Sequence, residues 1–182
     1  MSLESLTPTP AAGFDMPLAI LSACHDRILR FCDMLERLAE HIQNNGVDLQ
    51  AVETAKLIHK YFSTAGKHHH EDEEKDLFPL LLHHDEGLGS LLSRLVETHR
   101  QLDSNWEQLE PILLSLDTIE SNKEAFTILT YSFATSNRNH IQLENRELLP
   151  CAALLLSNTD NEYLGQAMAK RRGVPYRKQT KI

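Results

Sequence analysis

Apolar residues recur along this chain at steps of three and four through four long segments, the signature of helices with one buried face. In the first, Leu18, Leu21, Ile28, Cys32, Leu35, Leu38 and Ile42 share a side. Asp15 as cap and Pro17 in the first turn predict its start, and Asn44-Asn45-Gly46 its end. Asp48 is placed to cap a second helix with Val52, Ala55, Phe62 and Gly66 inward, which Pro79 is expected to end or bend. After a turn over His83 to Gly89, the third carries Leu88, Leu91, Leu92, Leu95, Leu102, Trp106 and Leu109, with a kink or irregular end predicted at Pro111. Ser121 and Glu124 form a capping-box pattern before the fourth, whose inner side holds Phe126, Leu129, Phe133, Ser136 and Leu148. A second such pattern, Thr159 to Glu162, predicts a short fifth helix through Lys170. Short connections favour antiparallel neighbours. The expected fold is therefore all-α, an up-down-up-down antiparallel four-helix bundle with a short C-terminal fifth helix. Residues 1–13 read as a flexible lead-in, 14–156 as the bundle, and 157–182 as the short helix and a basic tail.

Each apolar stripe is broken by polar residues of one kind. His25 interrupts the first and His99 the third, while the second and fourth carry the pairs His69/Glu73 and His140/Glu144. Residues four apart on a helix present their side chains to the same point. The segments HHEDEEKDLFP and HIQLENRELLP align so that Leu77 meets Leu148, Phe78 meets Leu149 and Pro79 meets Pro150. A single histidine in an apolar stripe is usually a satisfied core residue. Four of them, with paired glutamates and a repeated spacing, point to a metal centre, and six converging ligands suit two ions better than one. His70 and Glu74 are also four apart, so the first pair could slip by one residue; matching Pro79 to Pro150 favours His69 and Glu73.

The neighbours have blander readings. His68 and His70 project about 100° to either side of His69 and read as surface residues. His83 and His84 lie in a polar turn, and Glu71, Asp72 and Glu74 read as a solvated face. His59 and Tyr131 are further candidates to approach the centre, and Trp106 reads as core.

Composition narrows the chemistry. At 182 residues, 41% hydrophobic and 24% charged, the chain fits one globular domain, and no apolar run is long enough to span a bilayer. The N-terminus lacks the basic region and apolar core of a secretory signal, so a cytoplasmic location is expected. Cys24, Cys32 and Cys151 have no metal-type spacing and are odd in number, which argues against a disulfide scaffold. The net charge of −8 conceals an acidic body, because Lys170, Arg171, Arg172, Arg177, Lys178 and Lys181 cluster at the end without an acid among them. Such a body disfavours nonspecific nucleic-acid binding. Imidazole and carboxylate together suit iron, manganese or zinc ions, and the lack of thiolate pairs argues against a structural zinc site or an iron–sulfur cluster. No phosphate-binding loop is present.

From roughly Phe14 to Ala153, a lone histidine, HxxxE followed by LFP, a second lone histidine and HxxxE followed by LLP occur in order. This arrangement closely resembles the hemerythrin-like, or HHE, cation-binding domain family. The resemblance implies a four-helix bundle holding two Fe ions, oxo- or hydroxo-bridged. Its ligands carry over as His25, His69, Glu73, His99, His140 and Glu144, with the two glutamates as bridges; zinc or manganese are alternatives. Oxygen-carrying members have a second histidine one turn along helix three, where this chain has Asp103, and an acidic ligand one place further along helix four. Asp103 then reads first as an acceptor for an imidazole N–H, with a carboxylate ligand or a solvated residue as alternatives. The implied function is to bind or sense oxygen, nitric oxide or peroxide, or to handle iron. The alternative is a metal-stabilised regulatory or interaction module without turnover, acting through the fifth helix and tail. The expected partner is a small diatomic ligand or peroxide, with no membrane, no strong case for nucleic acid, and a homodimer as a possible assembly.

Overall fold

The computed structural model describes residues 13–116, 119 and 122–178. Most of the expected lead-in, Ser121 with its capping pattern, and the tail end with Lys181 lie outside the described residues. The described residues are helical or irregular with no strand among them, and none of their helices is long and apolar enough to cross a membrane.

Helix α1 spans Pro17–Asn45. Met16 rather than Asp15 stands at its N-cap without a side-chain cap bond, and Pro17 opens the helix where a missing N–H costs nothing. Gly46, at φ 79°, ends it by donating its N–H to the Ile42 carbonyl at 3.0 Å. The second rod comprises α2 (Leu49–Tyr61), a π-turn Phe62–Gly66, α3 (Lys67–Asp72), a second π-turn Glu73–Leu77 and α4 (Phe78–His84). Asp48 caps it, accepting the Ala51 N–H at 2.8 Å.

Pro79 was expected to end or bend this rod, yet the helix continues to His84. The π-turn directly before it widens the backbone, and Pro79 then lies in the first turn of α4, where a proline is tolerated. The fourth rod repeats the device. Helix α5 (Gly89–Leu114) precedes it, holding Pro111 near its end. The rod itself joins α6 (Lys123–Leu143), a π-turn Glu144–Leu148 and α7 (Leu149–Leu155), with Pro150 in the first turn of α7.

Helix α8 runs Asn158–Arg171 and starts earlier than the Thr159–Glu162 pattern predicts. Leu156 is extended, so the chain turns there, and Ser157 and Asp160 form the capping box instead. The Asp160 N–H donates to Ser157 Oγ at 3.2 Å and the Ser157 N–H to Asp160 Oδ2 at 2.9 Å. Gly165 of α8 lies under the incoming chain: a Cβ there would stand 1.8 Å from the Phe14 carbonyl oxygen. Only glycine permits that crossing.

Helix α1 packs on α2 and α6, and α5 packs on the same two, so the rods close into a ring, with α8 laid against α1 and α3. Their apolar faces form two clusters rather than one. Ile28, Leu35, Ile58, Leu109 and Phe133 belong to the first, and Leu21, Leu77, Leu95, Leu148 and Leu164 to the second. In α1 the stripe passes from one cluster to the other at His25, and in α5 between Leu95 and Leu109, across His99. The HxxxE segments occupy the same level of the other two rods. A polar layer is thus sealed between two apolar ones.

Candidate metal centre

All six predicted ligands meet in that layer, and none is more than 4% exposed. Their donor atoms form two groups, each within 4.8 Å: His25, His69, Glu73 and Glu144 in one, Glu73, His99, His140 and Glu144 in the other. The glutamates belong to both, and their two oxygens face opposite ways. Glu73 Oε1 lies 3.6 Å from His69 Nε2 and 3.8 Å from His25 Nε2, while its Oε2 lies 3.5 Å from His99 Nε2. Glu144 Oε2 lies 3.1 Å from His25 Nε2, while its Oε1 lies 3.1 Å from His140 Nε2 and 3.7 Å from His99 Nε2.

Whether a cation suits this centre can be read from what the residues leave unsatisfied. All four carboxylate oxygens of Glu73 and Glu144, both ring nitrogens of His69 and His25 Nε2 are buried without a hydrogen bond of sound geometry. Uncompensated carboxylates at such burial cost several kcal/mol each, on the order given by ion desolvation. Cations between the two groups would satisfy every one of those oxygens, and the imidazole–carboxylate donor set suits iron, manganese or zinc.

Second interactions aim the rings. His25 Nδ1 donates to Asn145 Oδ1 at 2.7 Å and His99 Nδ1 to Glu74 Oε1 at 2.6 Å. Thr98 Oγ1 donates to the Leu95 carbonyl at 2.8 Å, so it accepts from His140 Nδ1, 2.9 Å away. Each contact keeps the proton on Nδ1 and leaves Nε2 to face the centre. Glu74 and Asn145 each follow a shared glutamate by one position. Comparing the two repeats position by position would have found both.

The buried histidines and glutamates shift one another's proton affinities. Burial acts to lower the pKa of His25 but is outweighed by Glu144 and Glu73, which hold it up at about 10. At His99, burial is likewise outweighed, by Glu144, Glu73 and Glu74, giving about 11. Burial prevails at His69, lowering it to about 4. Burial and Glu144 act to raise Glu73, but His69, His25 and His99 pull it down to about 2; Glu144 lies well below its usual range because His140, His25 and His99 outweigh its burial. Entering cations would compete with protons for the same imidazole nitrogens.

Other expectations are revised. His70 is not a surface residue: it is half-buried, with its ring stacked on His99 at a centroid distance of 4.0 Å. The slipped pairing of His70 with Glu74 does not form, because Glu74 is engaged with His99. Asp103 lies 3.6 Å from His70 Nδ1, and the two line a cavity of about 370 Å³ together with Phe62, Gly66, Leu102 and Trp106. His59 turns away to Glu110 at 3.0 Å, and the Tyr131 hydroxyl donates to Glu40 at 3.0 Å; neither belongs to the two groups. Asp72 is no part of a solvated face. It is fully buried and paired with Arg171 and, at 2.6 Å, with Arg172. His83 and His84, expected in a turn, form the end of α4, and His84 contacts Asp160 at 3.0 Å.

A family model described as Hemerythrin HHE cation binding domain matches residues 16–152. An uncharacterized protein of Haemophilus influenzae is 29% identical over 172 residues, covering 94% of this chain and 99% of that protein.

Proposed function

The chain belongs to the hemerythrin HHE cation-binding domain family, and we propose that it is a non-haem di-iron protein that binds or senses oxygen, nitric oxide or peroxide, or handles iron. In this reading 14–156 is the cation-binding domain, an up-down-up-down antiparallel bundle, and 157–182 an appended helix and basic tail. The observation that carries it is the division of oxygens at Glu73 and Glu144, one turned to each histidine group. A single ion would leave one oxygen of each carboxylate buried and bare; two ions use all four.

His25 and His69 would hold one ion, His99 and His140 the other, and the glutamates would bridge them. Two iron ions there supply reversible redox change and exchangeable positions for a small ligand or peroxide. The protein's own residues keep the imidazoles aimed through Asn145, Glu74 and Thr98, and the apolar clusters on either side limit water at the centre. Three free thiols, Cys24, Cys32 and Cys151, suit the cytoplasmic setting we assign.

The test is metal content per chain after expression with iron, followed by absorption spectra before and after air is admitted to the anaerobic, reduced protein. We expect about two irons per chain and a near-ultraviolet charge-transfer band that appears on oxidation and is lost on reduction. One zinc per chain, or a metal-free protein of undiminished stability, would overturn the reading.

A further inference from the structure

We propose that His70 is a further ligand of the centre, a third histidine on the ion held by His99 and His140, with Asp103 as its positioning residue. The proposal rests on the di-iron reading and adds to it an asymmetry between the two ions.

The placement of His70 carries the argument. It follows His69 on α3 and therefore leaves the helix on a different side, toward α5 rather than toward α1. There its ring lies over His99 with an interplanar angle of 16°, and edge-on to His140 at 5.9 Å. One of its nitrogens lies within 4.8 Å of the donor atoms of both His99 and His140, so the three histidines form a group of their own. Asp103, on α5, presents Oδ1 at 3.6 Å from His70 Nδ1. A carboxylate on that side favours a proton at Nδ1 and leaves Nε2 as the donor, as Glu74 does for His99. Asp103 is largely exposed, at 70%, so its carboxylate stays in contact with solvent while it faces His70.

The ligand count is then unequal. Each histidine group with the two shared glutamates provides four side chains, and His70 adds a fifth to one ion only. On the other HxxxE helix, alignment puts Ile141 at the position of His70, and Ile141 is buried in the apolar core at 2% exposure. No counterpart is available to the His25/His69 ion from that position. Exchangeable positions therefore concentrate on the His25/His69 side, while His70 closes the side facing the cavity that it lines with Asp103.

The experiment loads the full chain with Co²⁺ and counts solvent-exchangeable, hyperfine-shifted N–H resonances in the proton NMR spectrum, one for each coordinated imidazole. Five are expected for the unaltered protein holding two ions. His70→Ala should lose one of them and weaken the second ion by about tenfold or more, and His68→Ala should keep all five. Asp103→Ala should keep five but shift the His70 N–H and speed its exchange with solvent; an unmoved resonance would overturn the role given to Asp103. Two bound ions with four resonances, unchanged by His70→Ala, would overturn the ligand assignment alone. A chain that takes up no ion pair would overturn the di-iron reading and the assignment with it.

Discussion

The two HxxxE rods are near-copies that have been put to different uses. Both place a phenylalanine, Phe62 or Phe133, before the histidine, and both pass into a π-turn at the glutamate and carry a proline in the turn after it. What the rods share is what bridges the two histidine groups. Among the positions they do not share, three change what the rod contacts: His70 against Ile141, Asp72 against Leu143, and Glu74 against Asn145. At each, the first rod has an ionisable group and the second a neutral one. The first rod therefore faces outward as well as inward, toward the cavity through His70 and toward α8 through Asp72.

The shared part is broken most severely at the glutamates. Because Glu73 and Glu144 each belong to both histidine groups, Glu73→Ala or Glu144→Ala should empty the centre, whereas His69→Ala or His140→Ala should leave one ion per chain. Loss of metal removes its stabilisation of the folded state, so the melting temperature should fall in the same order. Metal analysis beside thermal unfolding decides this. Full metal content in a glutamate variant would refute the bridging role.

The next largest effect separates the rods at Asp72 and Leu143. Arg171 and Arg172, at the end of α8, both pair with Asp72, and Arg171 also reaches Asp76. Burial raises the Asp72 carboxyl pKa against the lowering pull of the arginines. Removing both arginines strands that buried group, and breaking a buried pair in this way costs about 3–5 kcal/mol. The double variant Arg171→Ala/Arg172→Ala should lose that much in a denaturant titration, and adding Asp72→Leu, the residue type of the second rod, should recover most of it. No recovery would mean that the arginines act through something other than Asp72. The same clamp favours the regulatory alternative, since Asp72 adjoins Glu73: metal-dependent proteolysis after Thr159 would couple α8 to the centre, and equal cleavage with and without metal would not.

These contrasts also mark how far the sequence could be read. The apolar stripes and the histidines that break them lie within single helices, where periodicity is reliable, so the helices and the six meeting side chains follow from spacing. The repeat told His69 from His70 as the partner of Glu73, but not what His70 itself would meet. Periodicity gives the side from which a side chain departs, and an object wide enough for two ions spans more than one side. The π-turns were hidden because a widened turn changes hydrogen bonding without leaving a mark in the apolar pattern, and so Pro79 read as a residue that ends or bends the helix. The pairing of Asp72 with Arg172 joins residues 100 positions apart. Read locally, one belonged to an acidic run and the other to a basic tail.

The smallest expected effect tests the third position of difference. Glu74 and Asn145 both accept an Nδ1–H from a lone histidine, but only Glu74 is charged, and a charged acceptor makes the stronger bond and the more basic imidazole. Glu74→Gln keeps an acceptor and removes the charge; Asn145→Asp adds one on the other side. Such supporting partners are worth about 10–100-fold in metal affinity when lost outright. Here an acceptor remains, and Glu74 is 39% exposed, so solvent already screens its charge. A change of about tenfold or less is expected, toward weaker binding for Glu74→Gln and tighter binding for Asn145→Asp. Competition with a chelator of known affinity reads both. Opposite signs would show that charge at this position tunes each ion separately, and a common sign would show that the two contacts only hold the rings in place.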